Sequence, residues 1–104
     1  MSILDAGCGT GNYAQSLLDA GLGHITMMDG SDGMLTTARM KTANYKNMAV
    51  YRLARLPQLP FPDESFDVVM FNQVGRRTGL VLPVLSRLCK HHSYGLNTQL
   101  KCEP

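Results

Sequence analysis

Residues 2–11 of the chain read SILDAGCGTG, a short apolar run followed by a glycine at every second position. An apolar run of this length that ends in glycine is typical of a buried strand entering a tight turn. After residue 12 the apolar side chains recur with helical spacing, and Gly21 or Gly23 can end the helix with a positive φ. This part of the chain therefore predicts a strand, a glycine loop and a helix in direct succession.

Strands and helices continue to alternate as far as residue 71. Ser31 is a good N-cap residue and predicts the start of a second helix. Prolines at positions 57, 60 and 62 exclude regular structure before the last strand of this part. The further strands are predicted at residues 24–28, 48–53 and 66–71.

This alternation predicts an α/β fold with a parallel sheet, because parallel neighbours are joined only by a crossover connection. We expect a doubly wound, mostly parallel, Rossmann-like sheet with the strand order 3-2-1-4. Ligands bind such sheets where the strand order reverses, which is between strands one and four here. The glycine loop and the turn formed by Asn72 and Gln73 should meet at that point.

Length and composition predict one globular domain. The chain has 104 residues, of which 44% are hydrophobic and 17% charged, and such a chain can offset the entropy lost on ordering. No apolar run reaches the roughly 18–20 residues that span a bilayer. The start of the chain carries Asp5 where a secretory signal has basic residues. We therefore expect neither a membrane span nor secretion.

The three cysteines are Cys8, Cys89 and Cys102, an odd and widely spaced set. Such a set suggests neither a disulfide framework nor a zinc site. We accordingly expect no metal and a reducing, cytoplasmic setting.

Two features of the chain point to an adenosine-containing ligand. Gly7, Gly9 and Gly11 lack a Cβ and let a ligand lie against the main chain, while the following helix offers unpaired N–H groups. Asp29 ends the second strand, 22 positions after Gly7, which is close to the spacing at which a carboxylate binds ribose hydroxyls. These residues fit a nicotinamide dinucleotide as well as other adenosine ligands.

Three further passages distinguish among these ligands. They are ILDAGCGTG at residues 3–11, MDGSDGML at 28–35 and LPFPDESFDVV at 59–69. In this order they resemble successive motifs of the class I S-adenosylmethionine-dependent methyltransferases, of the type 11 branch that acts on small molecules. The resemblance covers about residues 2–74. It implies S-adenosyl-L-methionine as cofactor and transfer of its methyl group to a small-molecule acceptor.

The resemblance also implies roles for the residues of the glycine loop. Gly7, Gly9 and Gly11 would cradle the methionine part of the cofactor, and Asp5 would brace the loop. Cys8 would fit the same space as a small, partly buried thiol. No catalytic base is identified, because methyl transfer depends mainly on holding the acceptor in line with the methyl group.

At the other end of the cofactor, Asp29 would hold the ribose, and Gly30 and Met34 would flank the adenine. Where the family carries an Asp-Ala pair beside the adenine amino group, this chain has Arg55 and Leu56. These two residues are the candidates at that position. Asn72, with Gln73, would lie near the methionine part and the opening for the substrate.

The net charge of the chain changes sign where the resemblance ends. Residues 1–74 carry a net charge of −2 and residues 75–104 a net charge of +4. We expect residues 1–74 to form a partial, truncated methyltransferase domain. Residues 75–104 should form a divergent basic segment with a short helix from Pro83 and a weak strand near residues 96–100. The coincident loss of motif and change of charge favour an altered ending of the chain.

Several alternatives stay open. In one alternative the chain is a non-catalytic remnant. Such a remnant would bind cofactor weakly, or it would pair with another protein or a second copy of the chain through the exposed edge of strand four. A nicotinamide dehydrogenase fragment is disfavoured, because the glycines do not follow the G-x-G-x-x-G spacing. The basic segment lacks interleaved aromatic residues, so no nucleic-acid binding is predicted.

Overall fold

The fold follows the predicted alternation of strands and helices. A computed structural model of the chain describes residues 1–55, 58–72, 87–89 and 99–100. Its elements are β1 (Ser2–Ala6), α1 (Asn12–Asp19), β2 (His24–Asp29), α2 (Asp32–Lys41), β3 (Ala49–Leu53), β4 (Val68–Asn72) and β5 (Gln99–Leu100). The Ser31 side chain accepts a hydrogen bond from the N–H of Met34 and so caps α2, as predicted.

The five strands form one sheet in the order β3-β2-β1-β4-β5. The first four are parallel, which confirms the predicted order 3-2-1-4. Strand β5 pairs antiparallel with the end of β4, within the segment predicted as a weak strand. The helix predicted from Pro83 lies outside the described residues.

The central strand β1 is buried on both faces, as expected for a parallel sheet. Ile3 packs in a core with Ala14 and Leu18 of α1, whereas Leu4 packs on the opposite face with Val69. Full burial of an aliphatic side chain such as Leu4 contributes about 1.5–3 kcal/mol to folding. The two cores hold the sheet rigid beneath the loops at its carboxyl edge.

The edge of β4 that was expected to be exposed is partly covered, because β5 pairs with the end of the strand and residues 87–89 pair with the stretch just before it. The N–H of Glu64 donates to the carbonyl of Arg87 at 2.9 Å, and that of Phe66 donates to Leu88 at 3.0 Å. Leu88 and Cys89 are buried there. Cys89 is disulfide-bonded, which corrects the expectation drawn from cysteine spacing, because spacing along a chain does not report which side chains the fold brings together.

Gly11 is required for the close packing of α1 on α2. Its φ is +84°, and an added Cβ would lie 3.0 Å from the Cβ of Ala38. We expect Gly11→Ala to lower the free energy of unfolding in urea by about 2–4 kcal/mol, from the positive φ together with overpacking. Gly21→Ala is the matched control, because Gly21 has a φ of +72° but open space around its Cβ position. Equal losses in the two variants would contradict a packing role for Gly11.

Candidate cofactor-binding site

The glycine loop after β1 is folded over the end of β2. The N–H groups of Gly7 and Cys8 both donate to the carbonyl of Met28, at 2.7 and 2.9 Å. The N–H of Gly9 donates to Oδ2 of Asp29 at 2.8 Å. The two regions that the sequence singled out separately are therefore in direct contact.

The Asp29 carboxylate holds two backbone segments at once. While Oδ2 accepts the Gly9 N–H, Oδ1 accepts the N–H of Ser31 at 2.9 Å. Each carboxylate oxygen can accept a second hydrogen bond. Asp29 thus fixes both the glycine loop and the turn into α2, and it retains capacity to accept hydroxyl donors from a ligand.

Two cavities meet at the glycine loop. The larger, of about 550 Å³, is lined by Gly7, Cys8, Gly9, Thr10, Asn12, Tyr13 and Ser16. The smaller, of about 210 Å³, is lined by Gly7, Met28, Asp29, Gly30, Ala54 and Arg55. An added Cβ on Gly7 or Gly9 would meet nothing within 4 Å. The loop therefore leaves space directly against its main chain, which a side chain would fill.

Asp5 is a buried carboxyl group beneath this loop. Its side chain is 3% exposed, and the strand register places it beside the buried Met27 of β2 and Met70 of β4. Burial, with a further contribution from Asp29, raises its pKa to about 6. Within the described ranges its Oδ2 has no hydrogen-bond partner.

Cys8 is a neutral thiol in this environment. Burial, followed by the charges of Asp5 and Asp29, raises the pKa of Cys8 to about 12. A thiol is a weak nucleophile unless it ionises, so Cys8 is unsuited to covalent catalysis at neutral pH. Its position in the lining of the larger cavity agrees with a packing role beside a ligand.

Lys41, at the end of α2, contacts the site although no sequence pattern pointed to it. Its Nζ donates to Oγ1 of Thr10 at 3.1 Å and to Oδ1 of Asn12 at 2.5 Å. Both acceptors line the larger cavity. A positive charge is thus held near the N-terminus of α1, where it adds to the positive end of the helix dipole.

Arg55 lies against Gly30 at the smaller cavity. Its Nη2 donates to the Gly30 carbonyl at 3.2 Å, and an added Cβ on Gly30 would lie 3.2–3.3 Å from the Arg55 side chain. Met34, which the sequence placed beside the adenine, lines neither cavity and is 45% exposed.

Asn72, Leu56 and Gln73 complete the candidate positions. Ala6 pairs with Phe71, so the backbone of Asn72 follows on β4 at the same edge as the glycine loop. Leu56 and Gln73 lie outside the described residues. Across the described ranges, no three His, Cys, Asp or Glu side chains are grouped as a metal would require. No helix in the same ranges is long and apolar enough to cross a membrane.

Comparison with known sequences assigns the family. The sequence model of a family described as a methyltransferase domain matches residues 4–76 of the chain. The chain belongs to the class I S-adenosylmethionine-dependent methyltransferases. This confirms the resemblance drawn from the three motifs, and the match runs from β1 past the end of β4.

Individual methyltransferases support this assignment. The demethylmenaquinone methyltransferase of Symbiobacterium thermophilum is 36% identical over 92 residues, covering 83% of this chain and 36% of that protein. The malonyl-[acyl-carrier protein] O-methyltransferase of Serratia marcescens is 36% identical over 66 residues, covering 64% of this chain and 24% of that protein. The chain thus spans about a third or less of these curated relatives.

A solved structure confirms the fold of this methyltransferase domain. The S-adenosylmethionine dependent methyltransferase from Mesorhizobium loti matches with a TM-score of 0.72 at 24% identity. The alignment covers 85% of this chain and 41% of that one. At this level of identity the likeness concerns the fold.

Proposed function

We propose that this domain binds S-adenosyl-L-methionine across the glycine loop and the end of β2, and that it serves methyl transfer to a small-molecule acceptor. The observation that carries the proposal is the hydrogen bond from the Gly9 N–H to Asp29, at 2.8 Å. This bond joins the glycine loop to the Asp29 carboxylate, at the place where the two cavities meet. This combination of main-chain contact and acidic acceptor suits a nucleoside with a polar extension.

The residues of the loop fit the amino-acid part of the cofactor. Gly7 and Gly9 have open space where a Cβ would stand, so the main chain at these positions can approach a ligand closely. The N-terminus of α1 and the nearby Lys41 ammonium favour a carboxylate in the larger cavity. Cys8 lines that cavity as a neutral thiol, and the Asp5 carboxyl lies beneath the loop.

The residues of the smaller cavity fit the nucleoside. Asp29 would accept hydrogen bonds from the ribose hydroxyls, and Gly30 and Arg55 would lie against the base. Gly11 supports the site indirectly, because it lets α2 pack against the start of α1. Contacts from Met34, Leu56 and Asn72 stay predictions.

The chemistry places few demands on this chain beyond positioning. When bound, the cofactor supplies an electrophilic methyl group on a sulfonium. Holding an acceptor atom in line with that methyl group accounts for much of the possible acceleration. The chain's own contribution would be to fix the cofactor through the loop backbone and Asp29.

The acceptor is proposed to be a small molecule. The names of the two relatives specify demethylmenaquinone and malonyl-[acyl-carrier protein] as methyl acceptors of those proteins. The chain matches only about a third of such relatives. Pairing with another chain through a sheet edge, the division at residue 74 and the cytoplasmic location stay predictions.

A second candidate function is a non-catalytic cofactor-binding module. The part of this chain that the family model matches contains the glycine loop and the ribose-side carboxylate, and the roles proposed above for the described residues all concern the cofactor. Binding of S-adenosylmethionine without methyl transfer to any acceptor pool, measured with a radiolabelled methyl group, would favour the module over the enzyme.

Calorimetric titration of the full chain with S-adenosylhomocysteine tests the binding proposal. We expect saturable heat, and we expect Gly9→Ala to weaken binding by about tenfold or more, since the new methyl group would occupy ligand space. Gly21→Ala is the matched control, because both glycines have a positive φ and open space at Cβ. No heat at millimolar ligand, or equal affinities for the two variants, would contradict the proposed site. A parallel NADH fluorescence titration tests the nicotinamide alternative.

A further inference from the structure

The side chain of Lys41 extends from the end of α2 to the wall of the larger cavity. Nε2 of Gln15, on α1, donates to the Lys41 carbonyl at 3.3 Å and holds the end of α2 against α1. The partly buried Lys41 side chain then reaches Thr10 and Asn12, to which its Nζ donates at 3.1 and 2.5 Å. The helix dipole favours a lysine in the last turn of α2. That reason does not require the ammonium to lie at this cavity.

In the part of the chain that the structure describes, the Lys41 ammonium donates only to uncharged oxygens, Oγ1 of Thr10 and Oδ1 of Asn12. An ammonium has three N–H donors, so one of them remains for a further partner. The first turn of α1 carries no acidic residue. A positive charge beside the start of a helix is unfavourable unless an anion lies there too. The surroundings of Lys41 therefore favour an anion in the cavity.

The contacts of Lys41 also determine which hydrogen-bonding atoms remain for a ligand. Because Oγ1 of Thr10 accepts from Lys41, the Thr10 hydroxyl can donate its own proton elsewhere. Because Oδ1 of Asn12 accepts from Lys41, the amide N–H groups of Asn12 are left for other partners. The carbonyl of Cys8, in the same lining, already accepts the Gly11 N–H at 3.1 Å. This part of the wall thus offers donors, which suit a carboxylate.

We infer that Lys41 makes this cavity selective for a ligand with a carboxylate, through its charge and by leaving the donors of Thr10 and Asn12 for that group. The inference rests on the proposed function, because it concerns the amino-acid end of the same cofactor. Thr10 and Asn12 line the cavity and would contact the carboxylate. Lys41 does not line the cavity and acts through these two residues, so it is a positioning residue.

The test compares S-adenosylhomocysteine with S-adenosyl-3-thiopropylamine, which lacks only the carboxylate, by calorimetric titration of the full chain. We expect the unmodified chain to prefer S-adenosylhomocysteine by about tenfold or more, as charge-assisted hydrogen bonds predict. In Lys41→Met this preference should fall by about fivefold or more, because only the ligand with the carboxylate loses a favourable interaction.

Asn12→Asp is a second variant, which keeps the size of the side chain. A carboxylate at this position suits the first turn of α1, so the variant should remain folded. The new charge would pair with Lys41 and repel the carboxylate of the ligand. The preference should therefore fall again by about fivefold or more. A purely structural role of Lys41 predicts no such fall, because its contact with residue 12 is strengthened.

Lys46→Met is the matched control, because it removes an exposed lysine that lines neither cavity. Its preference should equal that of the unmodified chain, and circular dichroism checks that each variant is folded. A preference below about threefold in the unmodified chain, or an unchanged preference in Lys41→Met or in Asn12→Asp, overturns the inference and leaves the proposed function standing. Absence of binding to S-adenosylhomocysteine overturns the proposed function, and the inference with it.

Discussion

Replacing Asp5 with asparagine is expected to raise the free energy of unfolding at pH 7 by up to about 3 kcal/mol. The ionised carboxyl is unfavourable in the folded chain, because burial beside Met27 and Met70 removes its hydration. The same burial, with the nearby charge of Asp29, raises its pKa from 3.8 to about 6. Asparagine has nearly the same shape and carries no charge to bury.

The pH dependence of stability follows from the sign of this pKa shift. Between pH 3.8 and about 6 the folded chain binds the Asp5 proton more tightly than the unfolded chain does. The contribution of Asp5 is therefore fully present below pH 3.8 and is lost as the pH rises through 6. Urea unfolding of the unmodified chain and of Asp5→Asn, measured from pH 4 to pH 7.5, should give curves that diverge as the pH rises.

The control for this prediction is Asp63→Asn, since Asp63 is an exposed carboxyl in the loop before β4. The free energy of unfolding of Asp63→Asn should depend on pH in the same way as that of the unmodified chain throughout this range. A variant at Asp5 that is less stable than the unmodified chain at pH 7, or that shows the same pH dependence, would contradict the assignment of a costly buried charge.

Asp29→Ala is expected to weaken binding of S-adenosylhomocysteine by about 100-fold or more. Its carboxylate accepts the N–H groups of Gly9 and Ser31, at 2.8 and 2.9 Å, and would accept the ribose hydroxyls. Hydrogen bonds to a charged group contribute about 1.5–3 kcal/mol each, so losing two to the ligand corresponds to at least this factor. The loop would also lose its connection to the end of β2.

Two comparisons separate this effect from a general loss of charge. Asp32→Ala removes an exposed carboxylate three positions away that lines neither cavity, and its affinity should stay within about threefold of the unmodified chain. Asp29→Ala should also lower the pKa of Asp5, because the charge of Asp29 contributes to raising it. An affinity of Asp29→Ala within threefold of the unmodified chain would refute the role in ribose binding.

The buried Asp5 indicates a site maintained at the expense of stability. Asp5 is almost fully buried, and the charge of Asp29 adds to the effect of burial in raising the pKa of Asp5. Asp is rarely this buried in a protein core unless it is paired. Strongly perturbed carboxyl groups beside a cavity are typical of functional sites.

Much of the fold could be predicted from the chain alone. The apolar run that begins at residue 2 predicted β1, and Ser31 marked the start of α2. Strand β4 begins two residues later than predicted, at Val68, and the preceding Phe66 pairs with Leu88 and Cys89. This pairing joins segments more than twenty residues apart, which local patterns do not reveal.

The candidate site, too, could be predicted from the sequence only in part. The spacing of Gly7, Gly9 and Asp29 was sufficient to suggest a nucleoside ligand, because strand ends and glycine turns are local features of the chain. The contacts of Lys41 with Thr10 and Asn12, and of Arg55 with Gly30, arise only when separate strands and helices pack together. Alternation and glycine spacing thus specified the sheet and the position of the site, since both follow from neighbouring residues. Which charges surround the ligand, and how strongly Asp5 is perturbed, depended on burial and on long-range contacts that only the folded chain creates.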